Sequence, residues 1–496
     1  MSDTAESTDK TNPHQTPEDV ALRASIDRSV RLPVLFFFSS AGVWLIVAMV
    51  LGFFQAMKLQ YPGFLDYDFL FFLNYPRTRA AFTGALIYGW AIQAGLGVCV
   101  WLMARLCRVP LRNPITLIIA GHFWNAGVLF GVLGIFAGFG NSMEWMEFPK
   151  WVWPILAASY SMIAVWMITM FVRRREQNVY IAQWYILGAC VWFPWLYLTA
   201  NVFIHLLPGA AVMKTAVNAW YTNGVLFLVL GPMGLAAAYY LIPKILGRPI
   251  YSYQLAQLGF WGLAIFGGWA GMHKLVGGPL PSWMPGVGGA ATLFMLMPVI
   301  AVAINHHMTT RGQHNAMSYS PTMRFTAIGA ISYTLLNVVA ALYCVFPIAE
   351  ITQLTLASIG FQMLGIYAFF SMTMFGAIYF IVPRVTQTEW RSAKRINQHF
   401  WFSAYGTVML VGLMIVGGLS QSAENNNLDV PNYSGVVNVG MFYVRGLAVT
   451  FLLLLYANAN FFFHLVSMTL GLGKKEAEGP TLLGHGAHHQ ELPSHT

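Results

Sequence analysis

Apolar runs of about 20 residues recur along the whole chain, each long enough to cross the hydrocarbon core of a bilayer as a helix. Lipid offers no hydrogen-bond partner to a bare N–H or C=O, so a segment of this kind must satisfy its backbone within itself. Composition agrees. The 496 residues are 57% hydrophobic, 15% aromatic and only 9% charged, against about 25% charged for a soluble domain. These properties predict an all-α polytopic membrane protein whose first partner is the lipid bilayer. Twelve spans are expected, at 33–55, 80–106, 114–139, 151–172, 179–205, 215–245, 253–275, 287–305, 324–347, 355–383, 398–420 and 438–470.

Charge orders these spans. The formal net charge of +9 does not indicate a nucleic-acid partner, because most of the basic residues lie in short loops on alternate sides. Those loops carry Arg105, Arg108 and Arg112, then Arg173, Arg174 and Arg175, then Lys244 and Arg248, then Arg311, and then Arg384, Arg391, Lys394 and Arg395. The loops between them are neutral or acidic, as with Glu144 and Glu147, or Glu424 and Asp429. The positive-inside rule places the basic loops in the cytoplasm, and an even number of spans puts both termini there. Residues 1–30 read as a polar tail, 31–472 as the membrane domain, and 473–496 as a second tail. The second tail contains His485, His488, His489 and His495, which read as solvated residues. Cys99, Cys107, Cys190 and Cys344 are widely spaced and form no CxxC or CxxCH motif, which argues against disulfides and covalently attached haem c.

Longer motifs carry a resemblance. The stretch "YYLIPKILGRPIYSYQLAQLGFWGLAIFGGWAGMHKL" at 239–275, the basic loop "RRREQNVYIAQWY" at 173–185 and "FGAIYFIVPR" at 375–384 resemble, in order, segments of the catalytic subunit of cbb-type haem–copper oxidases. The likeness extends from about residue 33 to about 420. It implies the twelve-helix fold of cytochrome c oxidase subunit I, a bacterial inner (cytoplasmic) membrane and cytochrome-bearing partner subunits. It also implies six histidines that hold two haems and a copper, since neutral imidazole suits both metals.

Most of those positions have changed. By the resemblance, Phe82 occupies a low-spin haem ligand position, and Phe361 and Met363 stand where the family shows two histidines on one helix. Thr222 takes the place of a copper histidine. His273 keeps the first of a copper pair, and Lys274 replaces the second. Five of six ligands are thus absent. A phenyl ring has no lone pair to give, and a protonated lysine repels a metal cation. Tyr333 is retained at a position the resemblance gives to a redox-active tyrosine. Other histidines do not restore the set. His122, His205 and His464 are dispersed over three spans, while His306, His307 and His399 fall near the basic loops. No cofactor is assigned, although the family uses haem and copper. The expected role is a redox-silent membrane subunit, a scaffold or partner-binding element of an electron-transfer complex. The alternatives are an active oxygen or nitric oxide reductase with unusual ligands, and an ion-translocating subunit using Lys274.

Overall fold

The computed structural model describes residues 17–427, 429 and 432–473. The chain forms twelve principal helices. They are α1 (Pro17–Gln60), α2 (Tyr75–Gly84 continuing into Ile92–Cys107), α3 (Pro114–Phe136), α4 (Trp153–Val172), α5 (Ile181–Leu206), α6 (Ala211–Leu246), α7 (Tyr253–Phe266), α8 (Trp283–Thr310), α9 (Pro321–Tyr343), α10 (Leu356–Thr386), α11 (Ala393–Asn425) and α12 (Ser434–Thr469). Eleven are long and apolar enough to span a membrane, and α7 is the exception. No β-strand occurs among the described residues. The four histidines expected in the C-terminal tail lie outside the described residues.

Local chemistry sets the helix ends. Ser252, Ser320, Thr355 and Ser392 each accept a backbone N–H in the first turn of α7, α9, α10 and α11, satisfying donors that would otherwise be orphaned. Gly247 closes α6 in the left-handed conformation at φ 65°.

Two expectations need correction. The seventh span ends at Phe266, not 275. Gly267 and Gly268 follow, and Gly271 adopts φ 115°, a conformation that L side chains rarely enter. The chain therefore folds back, and His273 and Lys274 sit on a short 3₁₀ turn, Met272–Leu275, at the mouth of the bundle. Helix α1 begins at Pro17, inside the segment 1–30 expected as a tail. Residues 17–30 read as polar, but the carboxylates of Asp19 and Asp27 face protein. Asp19 pairs with Arg23 and Arg108, and Asp27 pairs with Arg105 at 3.3 Å while accepting from Trp101 Nε1 at 3.0 Å.

The helices α2, α6 and α10 form the centre, with their apolar windows wholly or almost wholly buried, whereas the others each keep a face toward lipid. These three share another feature. Each switches from α to π geometry in mid-membrane, at Ala85–Ala91, Val225–Leu230 and Leu364–Ser371. The switch comes three residues after Phe82, Thr222 and Phe361 respectively. Single π turns cluster at functional sites, because the extra residue redirects side chains.

Contact between α9 and α10 is close at Gly329. A Cβ there would collide with the Thr373 side chain and meet the Phe369 carbonyl at 2.9 Å. Gly329→Val is expected to cost about 1–3 kcal/mol of stability through overpacking. The same change at Gly412, where a Cβ meets nothing, should cost little. Heat-induced exposure of the four buried cysteines to a thiol-reactive dye measures both.

Candidate functional site

Phe82 on α2 and Met363 on α10 face each other across one small cavity, walled further by Phe451, Met414 and Leu447. Phe451 of α12 meets the Phe82 ring edge-on at 5.6 Å between centroids. The cavity measures about 60 Å³, far below the ~300–1,000 Å³ of ordinary small-molecule pockets. The resemblance assigns a low-spin haem to this interface. A macrocycle does not fit between these side chains, and neither Phe82 nor a lone thioether provides a pair of strong axial ligands.

At its outer rim the cavity meets a polar cap. Gln362 Nε2 donates to Glu144 Oε1 at 2.6 Å, and Trp145 Nε1 donates to Gln362 Oε1 at 3.2 Å. Tyr88 donates to the Trp145 carbonyl at 2.6 Å, and its oxygen lies 2.6 Å from the Tyr221 hydroxyl. Glu147, in the loop between α3 and α4, faces the cavity. Desolvation, reinforced by the Glu144 charge, pushes its carboxyl up to about 8.

Beside this interface a cleft of about 1400 Å³ opens toward the end of the bundle opposite the basic loops. His273, Lys274, Phe361, Tyr343 and Glu144 line it. The Thr292 hydroxyl donates to the Gly288 carbonyl at 2.8 Å, so its oxygen accepts from His273 Nδ1 at 3.2 Å. That contact fixes the His273 tautomer and orients its ring. The Lys274 ammonium stands 6.0 Å from the centre of the Phe361 ring, and no carboxylate of the described residues lies within ion-pair distance of it. Phe361 is held by Tyr343 at 5.8 Å and Phe227 at 6.4 Å.

The structure thus brings together His273, Lys274 and Phe361 around one space, and Phe82 and Met363 around another. Thr222 is buried, and its hydroxyl turns back on its own helix to the Ala219 carbonyl at 3.1 Å. Tyr333 is buried against Phe369 at 5.0 Å. Helix α9 shows Ala340 and Tyr343 to the cleft instead, which leaves Tyr333 about 10–15 Å further along the helix axis. Among the described residues no group of three or more His, Cys, Asp or Glu side chains converges. The only imidazole in the cleft is that of His273, so the donor set does not fit copper. Glu144, Gln362 and Tyr343 belong to the site but were not singled out by sequence. Glu144 was visible only as an acid in a loop, and Gln362 lies in the same helical turn as the changed ligand positions Phe361 and Met363.

Comparison with known proteins bears on the fold and ancestry. The family described as Cytochrome C and Quinol oxidase polypeptide I matches residues 32–468. A cbb3-type cytochrome c oxidase subunit CcoN1 of Stutzerimonas stutzeri is 28% identical over 391 residues, 76% of this chain and 81% of that protein. A cytochrome c oxidase subunit 1 homolog, bacteroid, of Bradyrhizobium diazoefficiens is 26% identical over 474 residues, 91% of this chain and 84% of that protein. A heme-copper terminal oxidase dimer solved by cryo-electron microscopy superposes with a TM-score of 0.68 at 14% identity, covering 94% of this chain and 87% of that one.

Two outcomes are expected. Lys274→His restores one imidazole, yet with Thr222 committed to its own backbone it should retain no stoichiometric copper after dialysis, as read by metal analysis. Glu147 keeps a proton in the folded state that the unfolded chain releases above its ordinary value of 4.5. Its penalty is absent below 4.5 and complete above about 8, so stability should fall as pH rises through that window. Glu147→Gln should flatten this slope in thermal unfolding at a series of pH values.

Proposed function

The chain belongs to the cytochrome c and quinol oxidase polypeptide I family, and from that premise we propose that it serves as a membrane subunit of a respiratory or electron-transfer complex without a working haem–copper centre. One observation carries this reading. The interface that would have to admit a low-spin haem is occupied by Phe82, Met363 and Phe451, which leave about 60 Å³. Cavities destabilise in proportion to their volume, so a chain that gave up a macrocycle gains by filling the void with bulky apolar groups. The second centre points the same way. A lysine beside His273 presents a cation where the family places a copper ligand, and electrostatics favours an ammonium or a metal there but not both.

The chain would then act by shape and contact. Its twelve helices form a scaffold, and cytochrome-bearing subunits would supply whatever electron transfer the complex performs. The basic loops orient it with both termini in the cytoplasm of a bacterial inner membrane, and the His273–Lys274 cleft opens on the opposite side. Family likeness alone does not make the chain an oxidase, because function resides in the site and not in the fold.

The absorption spectrum of the isolated polypeptide tests this. The expected result is a chain without a Soret band that co-purifies with haem-bearing proteins from its native membrane. A Soret band that stays with this polypeptide after its partners are removed overturns the proposal.

A further inference from the structure

At the basic end of the bundle, four helices bring like charges together. Arg23 comes from α1, Arg105 from α2, Lys244 from α6 and Arg384 from α10; Arg105 Nη1 donates to the Arg23 carbonyl at 3.4 Å, and Tyr240, one turn before Lys244, packs on the two rings that lie under Arg105 and Arg384. Arg108 stands at the end of α2 nearby, paired with Asp19. Three carboxylates offset these five cations. Asp19 serves Arg23 at 2.7 Å and also Arg108, and acts on Lys244 from further off; Asp27 serves Arg105 at 3.3 Å and acts, with Glu389, on Arg384. Neither Lys244 nor Arg384 has a carboxylate of the described residues within ion-pair distance.

The cations stand on an apolar floor. Trp101, Tyr240 and Phe380 pack edge to face, with centroids 5.5 Å, 6.0 Å and 6.1 Å apart. The Arg105 guanidinium lies 5.4 Å from the centre of Trp101, and that of Arg384 lies 3.4 Å from the centre of Phe380. Arg384 Nη1 donates to the Phe380 carbonyl at 2.5 Å, and this is its only hydrogen bond among the described residues. A guanidinium carries five donors. Side chains anchored in this way are held in place, whereas a freely snorkelling cation would move apart from its neighbours.

Excess positive charge fixed over an aromatic surface at the end of a membrane helix bundle has a chemical complement. A phosphate ester oxygen accepts from lysine and from unused guanidinium N–H groups, and the first methylenes of a lipid can rest on the partly exposed ring of Tyr240. Basic pockets between transmembrane helices bind anionic headgroups for these reasons. We propose that the cluster of Arg23, Arg105, Lys244 and Arg384 is a binding site for a phosphate ester anion. The site is independent of the haem question, because it lies at the other end of the bundle from the His273–Lys274 cleft.

The full chain, delipidated in detergent, is titrated with phosphatidylglycerol in one arm and inorganic phosphate in the other, and bound ligand is counted by native mass spectrometry. Lys244→Gln and Arg384→Gln should each weaken phosphatidylglycerol binding about fivefold per charge. The exposed Arg175→Gln should leave it unchanged. Phosphate displacing the lipid identifies a headgroup site that free anions share; lipid retained against excess phosphate identifies the phospholipid as the ligand. Both results support the proposal. Equal binding by the parent and both cluster variants overturns it. Should a variant fail to fold, a photoreactive phosphatidylglycerol on the parent protein decides: crosslinks at Tyr240, Lys244 or Arg384 support the site, and labelling confined to other segments overturns it.

Discussion

The packing of α2, α6 and α10 is the constraint from which the rest of the structure follows. These helices are enclosed on all sides, so each must meet its neighbours through side chains alone and leave little void. Phe82 meets Phe451, Phe361 meets Tyr343 and Phe227, and Trp90 Nε1 donates across to Ser371 at 2.8 Å. Gly95 admits Met233 and Phe370 against the backbone of α2. Aromatic and thioether side chains fill the space between these helices.

Three π turns mark the central helices. They sit just past Phe82, Thr222 and Phe361 in the three central helices, the positions where the family places ligands. A π turn alters backbone register over a whole helix, so single substitutions do not erase it. Lys274 stands next to His273, whose Nδ1 lies 3.2 Å from the Thr292 hydroxyl.

Much of the fold was legible because lipid makes hydropathy a strict signal. The alternation of basic and acidic loops marked the same helices that the structure contains. The failures have identifiable causes. The seventh span continues apolar through 275, so hydropathy carries it past Phe266, whereas Gly267, Gly268 and the positive φ of Gly271 stop it earlier. Residues 17–30 read as a tail because their charges are countable from sequence but their pairing with α2 is not. At the site, the resemblance singled out Phe82 and Met363, and both line one cavity. The separation of Tyr333 from the cleft was not legible, since a position within a span says little about depth. Glu144 and Gln362 come from segments far apart in sequence, and only tertiary packing joins them.

The central claim is that side chains, and not a macrocycle, fill the interface between α2 and α10. An experimental density map of the full-length protein taken from its own membrane tests this most directly. The account predicts continuous density for Phe82 against Phe451, with Met363 facing them and no planar feature between the helices. A porphyrin-shaped density ligated at that interface would contradict it.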